Sequence, residues 1–519
     1  MNPDTKVLLL TGKRAEDLVK KYAHKAEVDT EVKVLSIPVA SFVNMPLLQK
    51  SLKKMDLEKY SLILVPGYSK LDLERVEEEI KVPIRKGPKH CADIPYVLNR
   101  LDEIELSKVT PACELLDEKT KTQVKQEIER IEGERAKHFD ERRDLKIGEG
   151  DRIVLAGVDF PPRIVAEVTD SPLRSNDEIV EIAERYIQEG AEILDIGMSV
   201  EEEMPQEIPR IISALRENFN IPLSINTTTK SEIEAALESG IDLVVSIDES
   251  TIEDFKGLEV PAVIIPRDSE QNYSRDPIER VEFLESLLEK ANELNYERVI
   301  ADPILSPVRQ GFFNSSVAFH ELRNRRPELP LFMGIGNVIE LYDADSIGMT
   351  ALLMGIANEI NANFVLAVEA SDKTRGSISE AVKARNMLIL AEERGSVPKD
   401  LGLNLLKLKE KRRAHDPYDE ELEDKAEVVK ATPGDGLQRD QKGFFRIFVR
   451  KPEIIAVFHG TDDSDMIIKG KSAGAICHEI VKRNLISDLS HAAYLGRELQ
   501  KAEIGLRTGR GYIQEEELF

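Results

Sequence analysis

The chain has 519 residues and a formal net charge of −25, from 71 Lys and Arg against 96 Asp and Glu, with 41% hydrophobic residues and no Trp. Its length exceeds one ordinary core and predicts several domains, while the acidic balance disfavours binding to a phosphate backbone, so no nucleic-acid role is expected. Without eighteen consecutive apolar residues or a basic opening (Met1-Asn-Pro-Asp), the chain is expected to be cytoplasmic, with no membrane segment.

Residues 1–115 are expected to form a small α/β domain around an open sheet. Lys6-Val-Leu-Leu-Leu10, Val32–Ile37 and Ser61–Val65 read as strands with helical stretches between them. Thr11-Gly-Lys-Arg and Pro66-Gly-Tyr-Ser are turns after strands, where such a sheet binds ligands, but neither forms GxGxxG or a complete phosphate loop. Residues 116–150 are dense in charge with sparse Ile and Val, as in a solvated helical linker. Cys91, Cys113 and Cys477 lie far apart without CxxC, so no disulfide framework or metal cluster is expected and buried small hydrophobes are the plain reading.

Between 151 and 398 apolar runs alternate with helical stretches at a period of roughly thirty residues. The expected strands are Ile164–Val168, Glu192–Ile196, Pro222–Ile225, Leu243–Ile247, Ala262–Ile265, Val299–Ala301, Leu331–Met333 and Asn363–Val368. Eight such units suffice to close a (β/α)8 TIM barrel, with all strand C-termini on one face. Residues 399–425 read as a second charged linker. Residues 426–519 read as a small α+β domain, with strands at Phe444–Val449 and Ile454–Phe458, a turn at Gly460-Thr-Asp-Asp and helices at Ser472–Arg483 and Asp488–Leu506. His478 and His491 lack a second His at ligand spacing, and His491–Arg497 is an amphipathic docking candidate.

The polar residues that end the barrel strands are Glu167, Thr169 and Asp170, then Asp195, Asn226, Ser246 with Asp248, Asp302, Asn337 and Glu369. The set is rich in carboxylates and amides and has no nucleophile–base pair, which argues against acyl transfer through a covalent enzyme. Buried Asp and Asn suit a heterocycle with an amino-pyrimidinone edge, because a carboxylate accepts two parallel N–H bonds from it; pterins and guanines both present that edge. Helix capping is the alternative role for Asp170, Asn226 and Asp302 taken singly.

These residues carry a family resemblance. Glu167-Val-Thr-Asp-Ser resembles the NVTPDSF opening of dihydropteroate synthases, Gly190-Ala-Glu-Ile-Leu-Asp-Ile-Gly197 their GADIIDIG, and Pro222-Leu-Ser-Ile-Asn-Thr227 their VPISVDT. Asp302-Pro-Ile-Leu-Ser-Pro-Val308 is closer to DPLxxPV, and Gly334-Ile-Gly-Asn337 to GLSN, of methyltetrahydrofolate–corrinoid protein methyltransferases. The stretch resembles the pterin-binding barrel of both groups, and the whole-chain layout resembles archaeal dihydropteroate-synthase-related proteins. Three departures from the synthases stand out. Asn226 replaces an Asp, no Lys follows strand seven, and Met198-Ser-Val-Glu-Glu-Glu-Met-Pro205 replaces the GESTRPG loop. That acidic loop would repel a diphosphate leaving group; Arg309 and Lys373 could supply charge instead.

The resemblance implies Asp195, Asn226, Ser246, Asp302, Glu167 and Thr169 as pterin-binding residues, with Asn337 and Asp170 as catalytic residues and no metal. It implies a transferase moving a methyl group between a reduced pterin, of tetrahydromethanopterin or tetrahydrofolate type, and a partner acceptor. The acceptor would be a corrinoid on another protein, since the chain has no DxHxxG, and a homodimer is the other association it leaves open. Two alternatives remain: C–N bond formation in folate or methanopterin biosynthesis, and non-catalytic pterin binding.

Overall fold

The computed structural model describes residues 6–519 apart from 54, 70, 72, 90, 103, 394, 400, 402, 410–423, 425, 432–439 and 462–464. The chain divides into two compact units, Met1–Leu405 and Leu406–Phe519. Most of the second expected linker, and part of the turn at Gly460-Thr-Asp-Asp, lie outside the described residues.

The first unit opens with a parallel sheet of β1 (Lys6–Thr11), β2 (Asp29–Val34), β3 (Leu62–Val65) and β4 (Ile84–Lys86), in the order β2-β1-β3-β4. The unbroken apolar run of β1 exists because both its faces are covered. Leu8 and Leu10 pack with Leu48 and Val76 on one side, while Val7 and Leu9 pack with Val19 and Val97 on the other. β4 escapes the sequence pattern because its three residues, Ile-Arg-Lys, carry one apolar side chain.

The helix Ala112–Ala136 corrects the expectation of a solvated linker. Val124, Ile128 and Ile131 recur at helical spacing and form a buried cluster with Ile389, Leu390 and Leu401. A stripe of three residues, set among the charged side chains of a 25-residue helix, is too thin to stand out in composition.

The barrel expected from the sequence is present. Its strands are β7 (Arg163–Val168), β8 (Ile193–Gly197), β9 (Leu223–Asn226), β10 (Leu243–Ile247), β11 (Ala262–Ile264), β12 (Val299–Ala301), β13 (Phe332–Gly334) and β14 (Phe364–Val368). All pair in parallel in the order β12-β11-β10-β9-β8-β7-β14-β13. A parallel bridge between Ala301 and Leu331 joins the two ends, with the Ala301 N–H donating to the Pro330 carbonyl at 2.9 Å. Alternation along each strand sorts two cores. Ile164, Ala166, Leu194, Ile196, Val244 and Met333 face the surrounding helices. Val165, Ile193, Val245, Val263, Ile300, Phe332 and Phe364 fill the interior.

An antiparallel hairpin precedes the barrel, β5 (Leu145–Ile147) and β6 (Val154–Ala156). Leu145, Ile147 and Ala156 belong to the same buried cluster as the interior residues, so the hairpin closes the barrel floor. Its two three-residue strands carry too little pattern to be read in advance.

The second unit holds an antiparallel sheet, β15 (Gly443–Arg450), β16 (Glu453–Gly460) and β17 (Asp465–Gly470), with helices Ala473–Lys482 and Leu489–Thr508 on one face. The docking expectation for His491–Arg497 is overturned: Tyr494 and Leu495 are buried in this unit's own core. His491 is buried too, its Nδ1 lying 3.2 Å from Asp440 Oδ2. The three cysteines are half-buried and form no disulfide among the described residues. Among the described residues no helix is long and apolar enough to cross a membrane.

Ile128→Ala separates a packed helix from a solvated one. Packing predicts a loss of about 2 kcal/mol or more in urea unfolding, whereas a solvated face would change by about 0.5 kcal/mol or less.

Candidate functional site

Above the apolar interior, the next inward-facing layer is polar. Glu167 of β7 stands directly opposite Asp195 of β8 in the strand register, and Gly197 of β8 stands opposite Asn226 of β9. Asp195 is fully buried. Its Oδ1 accepts a 2.5 Å hydrogen bond from the Ser224 hydroxyl, while its Oδ2 is buried with no hydrogen-bond partner among the described residues. A buried carboxylate oxygen left in that state is costly unless a ligand supplies a donor. Burial lifts the Asp195 carboxyl to about 6, against the opposing Ser224 hydrogen bond and the pull of the nearby Asn226 amide.

Glu167 is half-buried, and burial, then the charges of Asp195 and Asp170, push its carboxyl up to about 8. A Cβ at Gly197 would collide with the Glu167 carboxylate, so the bare backbone at Gly197 makes room for that group. The amide of Asn226 receives the Ser246 hydroxyl at 3.1 Å. Ser246 has a φ of 78°, and the β10–β11 register shifts between Val244 and Ile247, the irregularity that re-aims Ser246. Glu167, Asp195, Ser224, Asn226 and Ser246 thus form one polar arc over β7 to β10.

Asp302 lies across the mouth at the end of β12. Burial pushes its carboxyl up to about 7, opposed by the Ile304 N–H, which donates to Oδ1 at 2.7 Å, and by the charge of Arg280. Ile304 sits at a φ of 63°, a rare conformation for a β-branched residue and a strain the surroundings must hold. The buried Arg280 does so. Its guanidinium donates to the Ile304 carbonyl at 2.9 Å, the Pro303 carbonyl at 3.3 Å and the Ser306 hydroxyl at 3.4 Å, and lies 4.7 Å from the Tyr273 ring centroid. Asn337 is exposed, in the short helical turn after β13, and its Nδ2 donates to the Leu305 carbonyl at 3.2 Å, which ties it to the Asp302 loop.

Other sequence-selected residues lie outside this arc. Thr169 and Asp170 stand on the rim beyond Glu167. Asp170, at a φ of 51°, makes no capping hydrogen bond to the turn it precedes, and Asn226 caps no helix either, because Thr229 occupies the N-cap of Lys230–Glu238. Asp248 is buried and bonded to Ser250 and Thr251, a structural turn. Glu369 pairs with Arg185 at 2.6 Å and accepts the Gly376 N–H at 2.7 Å. Lys373 donates to the Tyr342 carbonyl, and Arg309 is exposed at a φ of 71°. The residues missed were Ser224 and Arg280. Ser224 shares the inward parity of Asn226, a signal that was available; Arg280 sits on a helix remote in sequence from the loop it holds.

The chain matches the family profile described as pterin binding enzyme over residues 168–343, which begins one residue after Glu167 and includes Asp195, Ser224, Asn226, Ser246 and Asp302. It also matches PterinBD-DUF4346 at 439–515 and a family of unknown function, DUF6513, at 5–89. The uncharacterized protein MJ0107 of Methanocaldococcus jannaschii is 34% identical over 99% of both chains. The chain belongs to the dihydropteroate-synthase-related pterin-binding proteins. A dihydropteroate synthase of Synechocystis is 40% identical over 81 residues, 14% of this chain and 28% of that protein. A solved dihydropteroate synthase of Xanthomonas albilineans with 4-aminobenzoic acid aligns with 49% of this chain and 100% of its own, at 17% identity and a TM-score of 0.41.

The raised carboxyls of this pterin-binding protein have a consequence for stability. A carboxyl whose pKa is higher folded than unfolded keeps more protons in the native state, so stability falls as pH rises from the ordinary carboxylate value to the folded one. For Glu167 that window runs from about 4.5 to about 8. Glu167→Gln is therefore expected to raise the unfolding midpoint at pH 8 and leave it nearly unchanged at pH 4, as thermal melts at the two values would read.

Proposed function

We propose that the barrel mouth holds the amino-pyrimidinone edge of a reduced pterin between Asp195 and Asp302, and that the protein is a transferase moving a one-carbon unit from it. The observation that carries this reading is the unpartnered, buried Oδ2 of Asp195, whose Oδ1 is already taken by the Ser224 hydroxyl. Such an atom calls for an N–H donor, and the amino-pyrimidinone edge presents two in parallel. Asn226 and Ser246 extend the hydrogen-bonding surface, and the match to pterin binding enzymes over residues 168–343 supports the choice of heterocycle.

In methyl transfer the bond from pterin N5 to the methyl carbon breaks. A nucleophile on the acceptor takes the methyl group, and the bond's electron pair returns to N5. Protonation of N5 beforehand makes the amine a better leaving group. Glu167, neutral around pH 7, can hold that proton, and Asn337 can hydrogen-bond near N5 from the loop it shares with Leu305. The rest is positioning. A corrinoid on a separate protein is the acceptor that this chemistry and the resemblance favour; Thr169 and Asp170 would act at the rim where that partner approaches.

C–N bond formation is the second reading, favoured by the likeness to a Synechocystis dihydropteroate synthase. The acidic stretch Glu201–Glu203 beside β8 weighs against release of a diphosphate there.

Calorimetric titration with reduced pterins, methylated and unmethylated, and with pterin-methyl diphosphate tests the proposal. A methyl-pterin is expected to bind, and Asp302→Ala to weaken it about a hundredfold through loss of charge-assisted hydrogen bonds. Affinity should fall as pH drops below about 7, where Asp302 gains its proton. Preference for the diphosphate would move the assignment to C–N bond formation, and unchanged binding in Asp302→Ala would sink the pterin site.

A further inference from the structure

A cavity of about 480 Å³ opens on the outer side of the barrel rim, between the ends of β7 and β14 and the helix Asn176–Glu189. Three of its ten lining residues are arginines, Arg174, Arg185 and Arg375, in a chain whose net charge is −25. Arg174 is fixed by its Nε, which donates to the Thr169 carbonyl at 2.7 Å. Arg185 is held by its 2.6 Å pair with Glu369 and lies 4.7 Å from the Tyr186 ring centroid. Arg375 is exposed and makes no ion pair among the described residues. The acidic lining residues are Glu369 and Asp372. Glu369 is already committed to Arg185 and the Gly376 N–H, so Arg174 and Arg375 outweigh Asp372.

We propose that this cavity is an anion subsite, which binds a phosphate or carboxylate carried on the part of the ligand that extends out of the barrel. Guanidinium groups suit both anions because their donors match two oxygens at once. The rim is electrically lopsided: Glu201, Glu202 and Glu203 follow β8, whereas the arginines flank β7 and β14. An anionic ligand end is repelled from the first side and drawn to the second. Thr169 stands two residues past Glu167, roughly 7 Å along an extended strand. The subsite therefore lies beyond the reacting end of a heterocycle in the mouth and suits an anion the ligand retains rather than a leaving group. The inference rests on the reading of the mouth as a pterin site only in assigning the anion to that ligand.

The test separates the two. The full chain is titrated by calorimetry with inorganic phosphate and, separately, with succinate, at constant ionic strength, as wild type, Arg375→Ala and Arg174→Gln. Millimolar, saturable binding of at least one anion is expected, weakened about tenfold or more in each variant, and the stronger of the two identifies the anion. Guanine, which has the amino-pyrimidinone edge and no anionic group, is the second probe. Its binding should be lost in Asp302→Ala and unchanged in Arg375→Ala. Loss of guanine binding alone in all proteins would remove the pterin reading and leave the anion subsite standing. Absence of binding by both anions, or equal affinity in wild type and in folded Arg375→Ala and Arg174→Gln, would overturn the subsite.

Discussion

The candidate site depends on desolvation. A barrel interior packed with Val, Ile and Phe up to its middle leaves the next inward-facing positions little water, and the chain places Glu167 and Asp195 there side by side, with Asp302 across from them. Two neighbouring carboxyls in such a place do not both ionise freely. Crowding the two carboxyls there carries an electrostatic cost that a ligand with N–H donors would relieve, so on the proposed function binding and protonation would be coupled.

Around that layer the protein divides its charged side chains by task. Arg280 has no carboxylate partner among the described residues and instead gathers the oxygens of Pro303, Ile304 and Ser306, so its charge holds a strained backbone in shape. Arg163 and Arg385 both meet Glu192 below the mouth and knit the strand ends to the helices. The rim arginines are partly committed and partly open. The backbone follows the same division: the positive φ values at Asp170, Ser246, Ile304 and Arg309 all fall where strands end at the mouth. At these four positions local strain lies beside the candidate site, as expected where surrounding packing must hold an unfavourable conformation in place.

Much of this was legible in the sequence, for a physical reason. A barrel strand buried on both faces must be a short apolar run, and its first polar inward residue must lie at the mouth, so all eight strands and the positions of Glu167, Asp195, Asn226 and Asp302 follow from pattern alone. What escaped depends on contacts distant in the chain. The β5–β6 hairpin is two strands of three residues each, whose meaning comes from the floor they cover. Arg280 reads as one more helix arginine until the loop from Asp302 to Ser306 folds over it. The stripe Val124, Ile128 and Ile131 is diluted by the charge around it, and Tyr494 with Leu495 looked available for a partner because their own sheet, including the six-residue β17, was incompletely recognised.

The hairpin floor has one more implication, for the order of events. With Leu145, Ile147 and Ala156 sealing the lower end, the barrel is a blind vessel rather than a passage. Anything that reaches Asp195 enters and leaves over the same rim. A macromolecule seated on that rim would trap a heterocycle already inside and exclude one still outside, so traffic through the site becomes sequential: first in, last out.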